Sequence, residues 1–327
     1  MPVSLPDAWV FGSGESGPAL ALGSKGLCAA WHQARAGGGS EVVVSWSDTG
    51  VQWSKPVPLA DKSGVWHGYV SLASAPDGSI YAVWLDGRDK PTNSMDIYLA
   101  RSTDGGKSFG KNMRVARCAS IACRPAIAIT PDGAIHVAWR GVDESNQRDV
   151  YLATSRDSGE SFSASTALAS DGWKVADSPR SGPALAASAE GLHVSWYSEG
   201  KGGKDAGIRW TVSADSAKTF APVTLVSQGI LDANHPTLSV NATGRVHLTF
   251  QGRPNGGDGW KPLRAYVAEV TSWVLATRGA QAAPGIYEGV DYPIGQFDAT
   301  GRLWMFWTSG EAILLSRARE IGTSATL

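Results

Sequence analysis

The chain carries little charge and no surplus of either sign. Its 327 residues include 29 Lys and Arg against 30 Asp and Glu, which gives a net charge of −1, and charged residues make up only 18%. Nucleic-acid-binding and membrane-surface patches need clustered basic residues, so we expect neither partner. No apolar run approaches the ~20 residues that a membrane-spanning helix requires.

Cysteine is scarce, with three residues in the chain. Cys28 lies in a predicted strand and is interpreted as a small buried apolar side chain. Cys118 and Cys123 flank a short loop, and three interpretations stay open: a disulfide, a metal-binding pair or two free thiols.

The first residues lack the basic start and apolar core of a signal peptide. We expect a secreted or periplasmic protein whose leader has been removed.

Long amphipathic helical patterns are also missing, whereas Gly (39) and Trp (14) are abundant. One repeat is a β-branched or aromatic segment that starts at a Gly turn and ends at an aromatic residue, which is a strand signal. A run of small and apolar residues precedes each copy. The six closing aromatic residues are Trp31, Trp84, Trp139, Trp196, Phe250 and Trp307.

A second repeat, in phase with the first, is a turn of the pattern S/T-x-D-x-G-x-S/T-aromatic. Full matches start at Ser102 and Ser155, and looser copies start at Trp46 and Ser213. The four aspartates are Asp48, Asp104, Asp157 and Asp215. Such a period indicates an array of similar units.

Together the repeats predict an all-β chain with four strands in each of six units. That pattern predicts a six-bladed β-propeller of four-stranded antiparallel blades, in a single domain that spans residues 1–327. We expect ring closure to pair residues near Trp9-Val10-Phe11 with the last blade.

The aspartate turn resembles the Asp-box (BNR) repeat of the sialidase-like superfamily. The looser copies depart from it at Trp46, Gln52 and Ala217. The resemblance implies that the boxes, in blades one to four, are structural and lie away from the ligand. Their aspartates would accept hydrogen bonds from backbone N–H groups of their own turns.

Sialidases also use an arginine in a Phe/Tyr-Arg-Ile-Pro motif at the first inner strand. Here that strand follows Gly14-Glu15-Ser16-Gly17-Pro18, without arginine, and the nearest match is Cys123-Arg124-Pro125-Ala126. This departure counts against authentic sialidase activity, so the fold resemblance does not carry the function.

The residues before each inner strand vary between repeats, as functional positions can. They combine arginines, histidines, acids and tyrosines, which is the composition of a polar ligand site. As an enzyme the chain would be a glycoside hydrolase, and the catalytic candidates are Tyr292, Glu15 and Asp291. The substrate-binding candidates are Arg124, Arg180, Arg253, His67, His235 and Tyr69, with arginine forks suited to a carboxylate or another anion.

The most favoured partner is therefore a carbohydrate or another small polar or anionic ligand, without a cofactor. One alternative is a non-catalytic propeller that binds a glycan or a protein. The other is a metal-dependent activity at His67, His235 and Cys123, because imidazole and thiolate suit zinc or copper. Oligomeric state is left open.

Overall fold

β-Strands account for almost all regular structure in the described chain. The computed structural model describes residues 4, 9–12, 14–35, 38–89, 94–256, 261–270, 280–283, 289–309 and 312–317. Within these ranges there are β-strands and one short 3-10 helix, Lys201–Gly203, but no α-helix. In that part of the chain no helix has the length and apolarity needed to cross a membrane.

The chain divides into two compact units, and unit 1 is Met1–Pro183. Unit 1 contains three four-stranded antiparallel sheets, each with its strands in chain order. The first sheet is β1 (Ala19–Gly23), β2 (Gly26–Ala34), β3 (Ser40–Ser47) and β4 (Val57–Pro58). The second is β5 (His67–Ser74), β6 (Ile80–Asp86), β7 (Met95–Ser102) and β8 (Met113–Ala119). The third is β9 (Ala126–Ile129), β10 (Ile135–Arg140), β11 (Val150–Ser155) and β12 (Thr166–Ala167).

Unit 2 is Ala184–Leu327, and its described residues form two four-stranded sheets and one three-stranded sheet. The first is β13 (Ala184–Ser188), β14 (Gly191–Ser198), β15 (Gly207–Ser213) and β16 (Thr224–Leu225). The second is β17 (Ile230–Val240), β18 (Val246–Pro254), β19 (Arg264–Val270) and β20 (Gln281–Ala282). The third is β21 (Asp291–Phe297), β22 (Leu303–Ser309) and β23 (Ala312–Arg317). The predicted all-β class and the antiparallel four-stranded sheets are thus confirmed.

The repeated aromatic residue at the end of each second strand belongs to the core. All six are buried: Trp31, Trp84, Trp139, Trp196, Phe250 and Trp307. Two of the indole N–H groups are satisfied locally: that of Trp84 donates to Asp86 at 3.0 Å and that of Trp31 donates to Gln33 at 2.9 Å. Within unit 1, neighbouring sheets share apolar clusters, in which Cys28 packs with Trp84, and Val83 packs with Trp139. Burial of these large side chains is the main term that stabilises each unit.

The aspartate turns after the third strands are held by their own side chains. Asp104 accepts hydrogen bonds from the hydroxyl of Ser102 at 2.8 Å and from the backbone N–H of Ser108 at 2.9 Å. The Ser108 hydroxyl adds a third bond at 2.6 Å. Asp157 and Asp215 make the same set of contacts within their turns. These carboxylates therefore fix turn geometry, as expected for structural residues.

The first of the four turns departs from the alignment that the sequence suggested. Ser47, not Trp46, takes the place of Ser102, because Ser47 pairs with Leu27 as Ser102 pairs with Ile80. The hydroxyl of Ser47 accepts the N–H of Gly50 at 2.8 Å. The turn is one residue shorter, and the Asp48 carboxylate lies 3.6 Å from the ammonium of Lys107.

The prediction for the N-terminal residues was wrong. Val10 bridges to Gln33, and Phe11 donates its N–H to the carbonyl oxygen of His32 at 2.9 Å. Residues 9–11 therefore pair with the end of β2 in the first sheet instead of with the last one. The end of β2 extends past its partner β1, and the free edge of this extension accepts them.

Candidate functional site

The first strands of three sheets, β5, β17 and β21, contain the same backbone irregularity. Tyr69, His235 and Tyr292 have left-handed φ values of 55°, 53° and 51°. Each residue falls at a register shift in its sheet. A left-handed conformation costs a non-glycine residue about 1–2 kcal/mol, and bulges redirect side chains near functional sites. Three sheets bear this cost at the same structural position. This repetition indicates that the positions of these aromatic side chains serve a function.

In unit 1, the structure brings together Glu15, Arg124 and Gly182, which precede three different sheets. Oε2 of Glu15 accepts the backbone N–H of Arg124 at 3.0 Å and that of Gly182 at 3.1 Å. In return, Nε of Arg124 donates to the carbonyl oxygen of Glu15 at 2.9 Å, and its Nη2 donates to Gly17. We call the cluster of Glu15, His32, Trp66, Tyr69 and Arg124 the unit 1 mouth.

Arg124 keeps its positive charge although burial removes water from around its guanidinium. Burial lowers the pKa of its guanidinium, whereas the nearby Glu15 and Tyr69 raise it. Tyr69 therefore lies near the same cation as Glu15 does. A guanidinium has five N–H donors, and within the described residues Arg124 uses two of them on carbonyl oxygens. The remaining donors are suited to an anionic ligand.

Tyr69 belongs to a cluster of aromatic side chains that we call the wall, formed by Tyr69, Trp66, His32 and Phe11. The ring centroid of Tyr69 lies 5.8 Å from that of Trp66 and 6.1 Å from that of His32. His32 in turn stacks on Phe11 at 4.3 Å and meets Trp66 edge-on at 5.2 Å. Tyr69, Trp66 and Phe11 are half-buried, so parts of their rings reach solvent.

His32 is an unusual member of this wall. It is 4% exposed, and neither ring nitrogen has a hydrogen-bond partner among the described residues. Burial, together with the nearby His67, lowers the pKa of His32 to about 4, so the imidazole is neutral at physiological pH. A buried polar group without a partner costs about 1–3 kcal/mol, which a bound hydroxyl or water would recover.

His67 lies beside a network of charged side chains. Its Nε2 lies 3.3 Å from Oδ2 of Asp86, which also binds Arg88 at 2.9 Å. Burial opposes ionisation of Asp86, but hydrogen bonds from His67 and Arg88 outweigh it and hold its pKa below the ordinary value. Arg88 extends the network to Asp61 at 2.7 Å.

Cys123 is a free buried thiol, and Cys28 and Cys118 are also free. Its sulfur lies 3.5 Å from the hydroxyl of Ser178 and 3.7 Å from that of Ser120. Arg148 donates to Ser120 at 2.9 Å. The described residues contain no group of three or more His, Cys, Asp or Glu that could hold a metal ion. The alternative of a metal site at His67, His235 and Cys123 therefore gains no support from the described residues.

Unit 2 has its own pair of candidates, one in the middle of β17 and one at the start of β21. The rings of His235 and Tyr292 lie 4.0 Å apart, and the N–H of Tyr292 donates to Gln251 at 2.8 Å. Asp291 is exposed. Arg253 is held by Asp232 at 2.7 Å and by the carbonyl oxygen of Lys261.

Arg180 is exposed in unit 1 and also has a left-handed φ, of 52°. The sequence alone did not single out Gly182. A Cβ at this position would lie 2.2 Å from the carbonyl oxygen of Arg124, so only glycine fits. The available signal was the Gly-Pro pair that precedes two of the inner strands, Gly17-Pro18 and Gly182-Pro183.

No protein-family model matches the chain, and no curated protein matches it in sequence. Several solved structures match it in fold. A protein of unknown function from Dyadobacter fermentans has a TM-score of 0.61 at 16% identity, over 95% of this chain and 96% of that one. The NanB sialidase of Streptococcus pneumoniae has a TM-score of 0.58 at 12% identity, over 94% and 68%.

An α-L-arabinanase of Penicillium chrysogenum, complexed with arabinobiose, has a TM-score of 0.54 at 15% identity, over 78% of each chain. Identities this low show the fold alone. The chain therefore has structural neighbours among sialidases and arabinanases, and it shares with them the β-propeller fold of glycoside hydrolases.

Proposed function

We propose that the chain is a six-bladed, sialidase-like propeller that binds a carbohydrate at the unit 1 mouth. In this proposal the six sheets are the blades, and the aspartate turns are Asp-boxes. The observation that carries the site is the left-handed Tyr69, whose ring lies 5.8 Å from that of Trp66 in the wall and near Arg124. The neighbours known as sialidases and arabinanases support a carbohydrate as the ligand class.

The wall supplies what a sugar ring needs. Aromatic faces cover the apolar C–H face of a pyranose or furanose, and polar groups at the edge bind its hydroxyls. Trp66 and Tyr69 supply the faces, and His32 supplies buried nitrogens that lack partners among the described residues.

Arg124 gives the site a preference for acidic sugars. The N–H donors that it does not use within the described residues are set in a half-buried place, where a charge-assisted hydrogen bond is stronger than in water. A uronic or sialic acid would meet the wall with its ring and Arg124 with its carboxylate. Arg180 is the second cation that we assign to this ligand in unit 1.

Hydrolysis of an acidic glycoside is a second candidate function. The favouring observation is that Tyr69 lies near the Arg124 cation, whose charge would favour the ionised form of a tyrosine nucleophile. The Glu15 carboxylate is already bound by two N–H groups, so we assign it a positioning role. In unit 2 the candidates stay Tyr292 and Asp291 at the start of β21, His235 in the middle of β17 and Arg253 near the end of β18.

Binding and turnover are tested separately. Titration calorimetry with glucuronic acid, N-acetylneuraminic acid, arabinobiose and glucose should detect binding of the acidic sugars to the wild type and its loss in Trp66→Ala. Trp53→Ala, in a turn outside the mouth, is the matched control. Absence of binding by every sugar would reject the proposal. Chromogenic uronides and sialosides then test hydrolysis, which Tyr69→Phe should abolish if the second candidate is right.

A further inference from the structure

The carboxylate of Glu15 fills a pair of convergent backbone donors. The N–H groups of Arg124 and Gly182 both point at Oε2 of Glu15, at 3.0 and 3.1 Å. Convergent main-chain N–H groups form an anion-binding concavity even without a positively charged side chain. Here the Arg124 guanidinium, whose Nε donates to the Glu15 carbonyl oxygen at 2.9 Å, adds a full charge near the same carboxylate.

The close approach of two chain segments at Gly182 forms this concavity. Gly182 is buried, and a Cβ there would lie 2.2 Å from the carbonyl oxygen of Arg124 and 3.0 Å from its nitrogen. The two chain segments can approach closely only because the residue is glycine. Their approach is what brings the two N–H groups onto one oxygen.

The occupant comes from a separate short segment. Residues 14–17, here called the strap, precede β1 and include a turn at residues 14–16. Glu15 as a residue is only half-buried. Arg124 also holds the strap through the carbonyl oxygens of Glu15 and Gly17. Loss of the carboxylate alone would therefore leave the strap attached.

We infer that this is a carboxylate-binding site in which Glu15 acts as an internal ligand, competing with the carboxylate of an incoming acidic molecule. The site itself rests on the contacts above. Its use by an acidic sugar rests on the proposed function. In the wild type, the strap weakens the binding of acidic ligands by the free energy needed to displace Glu15.

Chemical rescue tests the site with the smallest carboxylate. Thermal melts of Glu15→Ala are recorded in sodium formate and in sodium chloride of equal ionic strength, beside the wild type and Glu160→Ala, which removes an exposed carboxylate elsewhere in unit 1. Formate should raise the melting temperature of Glu15→Ala progressively above the chloride value, and should not do so for the two controls. Equal effects of formate and chloride on Glu15→Ala would overturn the inference.

A second variant covers the case in which Glu15→Ala does not fold. Glu15→Gln keeps a neutral oxygen acceptor, so a smaller formate-specific shift is expected, and its absence would also overturn the inference. Titration with glucuronic acid separates the two proposals. Binding roughly tenfold tighter in Glu15→Gln than in the wild type supports both. A formate effect without glucuronic acid binding keeps the internal ligand and rejects the proposed function.

Discussion

Glu15 and Arg124 bind each other in both directions. Oε2 of Glu15 accepts the main-chain N–H of Arg124 at 3.0 Å, and Nε of Arg124 donates to the main-chain oxygen of Glu15 at 2.9 Å. The two residues are 109 positions apart in the chain. This reciprocal pair joins the start of the first sheet to the start of the third and gives the mouth its charge.

Substitution of Tyr69 separates backbone strain from side-chain function. Tyr69→Gly relieves about 1–2 kcal/mol of left-handed strain but removes ring packing of similar size. We therefore expect the free energy of unfolding to change by less than about 1.5 kcal/mol, with sugar binding lost. Urea unfolding and calorimetry check the two parts. Unchanged sugar affinity in Tyr69→Gly would remove Tyr69 from the site.

The aspartate turns should differ in their contributions to stability. Asp104→Ala breaks three hydrogen bonds within its turn, so we expect a loss of about 1–2 kcal/mol. Asp48→Ala removes only an exposed contact to Lys107, with an expected loss below about 0.5 kcal/mol. Chemical denaturation of both variants is the measurement. Equal losses would contradict the shifted register of the first turn.

Gly182 should tolerate no side chain. In Gly182→Ala the new methyl group meets the carbonyl oxygen of Arg124, so we expect a loss of about 2 kcal/mol or more, or misfolding. Gly110→Ala is the control, because its nearest neighbour would lie at 3.6 Å, an ordinary contact. The prediction fails if the two variants unfold at the same urea concentration.

Stability should fall as the pH drops from about 6.5 towards 4. Burial is the main cause that lowers the pKa of His32, His136 and His193 to about 4 in the folded chain. The unfolded chain binds more protons in this window, because its histidines keep their ordinary pKa. Protonation therefore stabilises the unfolded chain, and the free energy of unfolding falls by about 2 kcal/mol per histidine at pH 5.

Urea midpoints at pH 7.5 and 5 measure this effect. Asp104 does not contribute to this difference between the two pH values. Burial raises its pKa, but hydrogen bonds from Ser108 and Ser102 outweigh the effect of burial and lower the pKa to about 2. Its contribution is present above the ordinary value of 3.8 and is lost only below it. Equal midpoints at the two pH values would contradict neutral buried imidazoles.

The three thiols should react at very different rates. Cys118 is exposed, whereas Cys28 and Cys123 are buried. Burial also raises the pKa of Cys28 to about 12. We expect a thiol reagent to label one cysteine quickly in the native protein and three after denaturation, with Cys118→Ser removing the fast phase. Two fast thiols would show that Cys123 is accessible.

The strands could be predicted because their signals are local. Gly turns and closing aromatic residues recur within each sheet, and residues such as Trp84 and Trp196 are buried as that pattern requires. The local pattern predicted the wrong alignment where a shift of one residue in the strand register changes which side chains meet. Ser47 and Asp48 occupy a shortened turn, which the motif alone could not reveal.

The candidate site was predictable only as a set of positions. The sequence indicated Glu15, Tyr69 and Arg124 because they precede inner strands. It gave no information on which atoms would meet, since Glu15 and Gly182 are 167 residues apart and bind through the main chain. The left-handed Tyr69 depends on packing and has no local signature, and the same holds for the His32 nitrogens, which lack partners among the described residues.

The most direct measurement is a calorimetric titration of the wild type and Arg124→Gln with glucuronic acid and with glucose. The account predicts that the wild type binds glucuronic acid at least roughly tenfold more tightly than glucose, because the acid gains charge-assisted hydrogen bonds. Arg124→Gln should remove that difference. Equal affinities of the wild type for the two sugars, or no binding of either, would contradict an acidic-carbohydrate site at the unit 1 mouth.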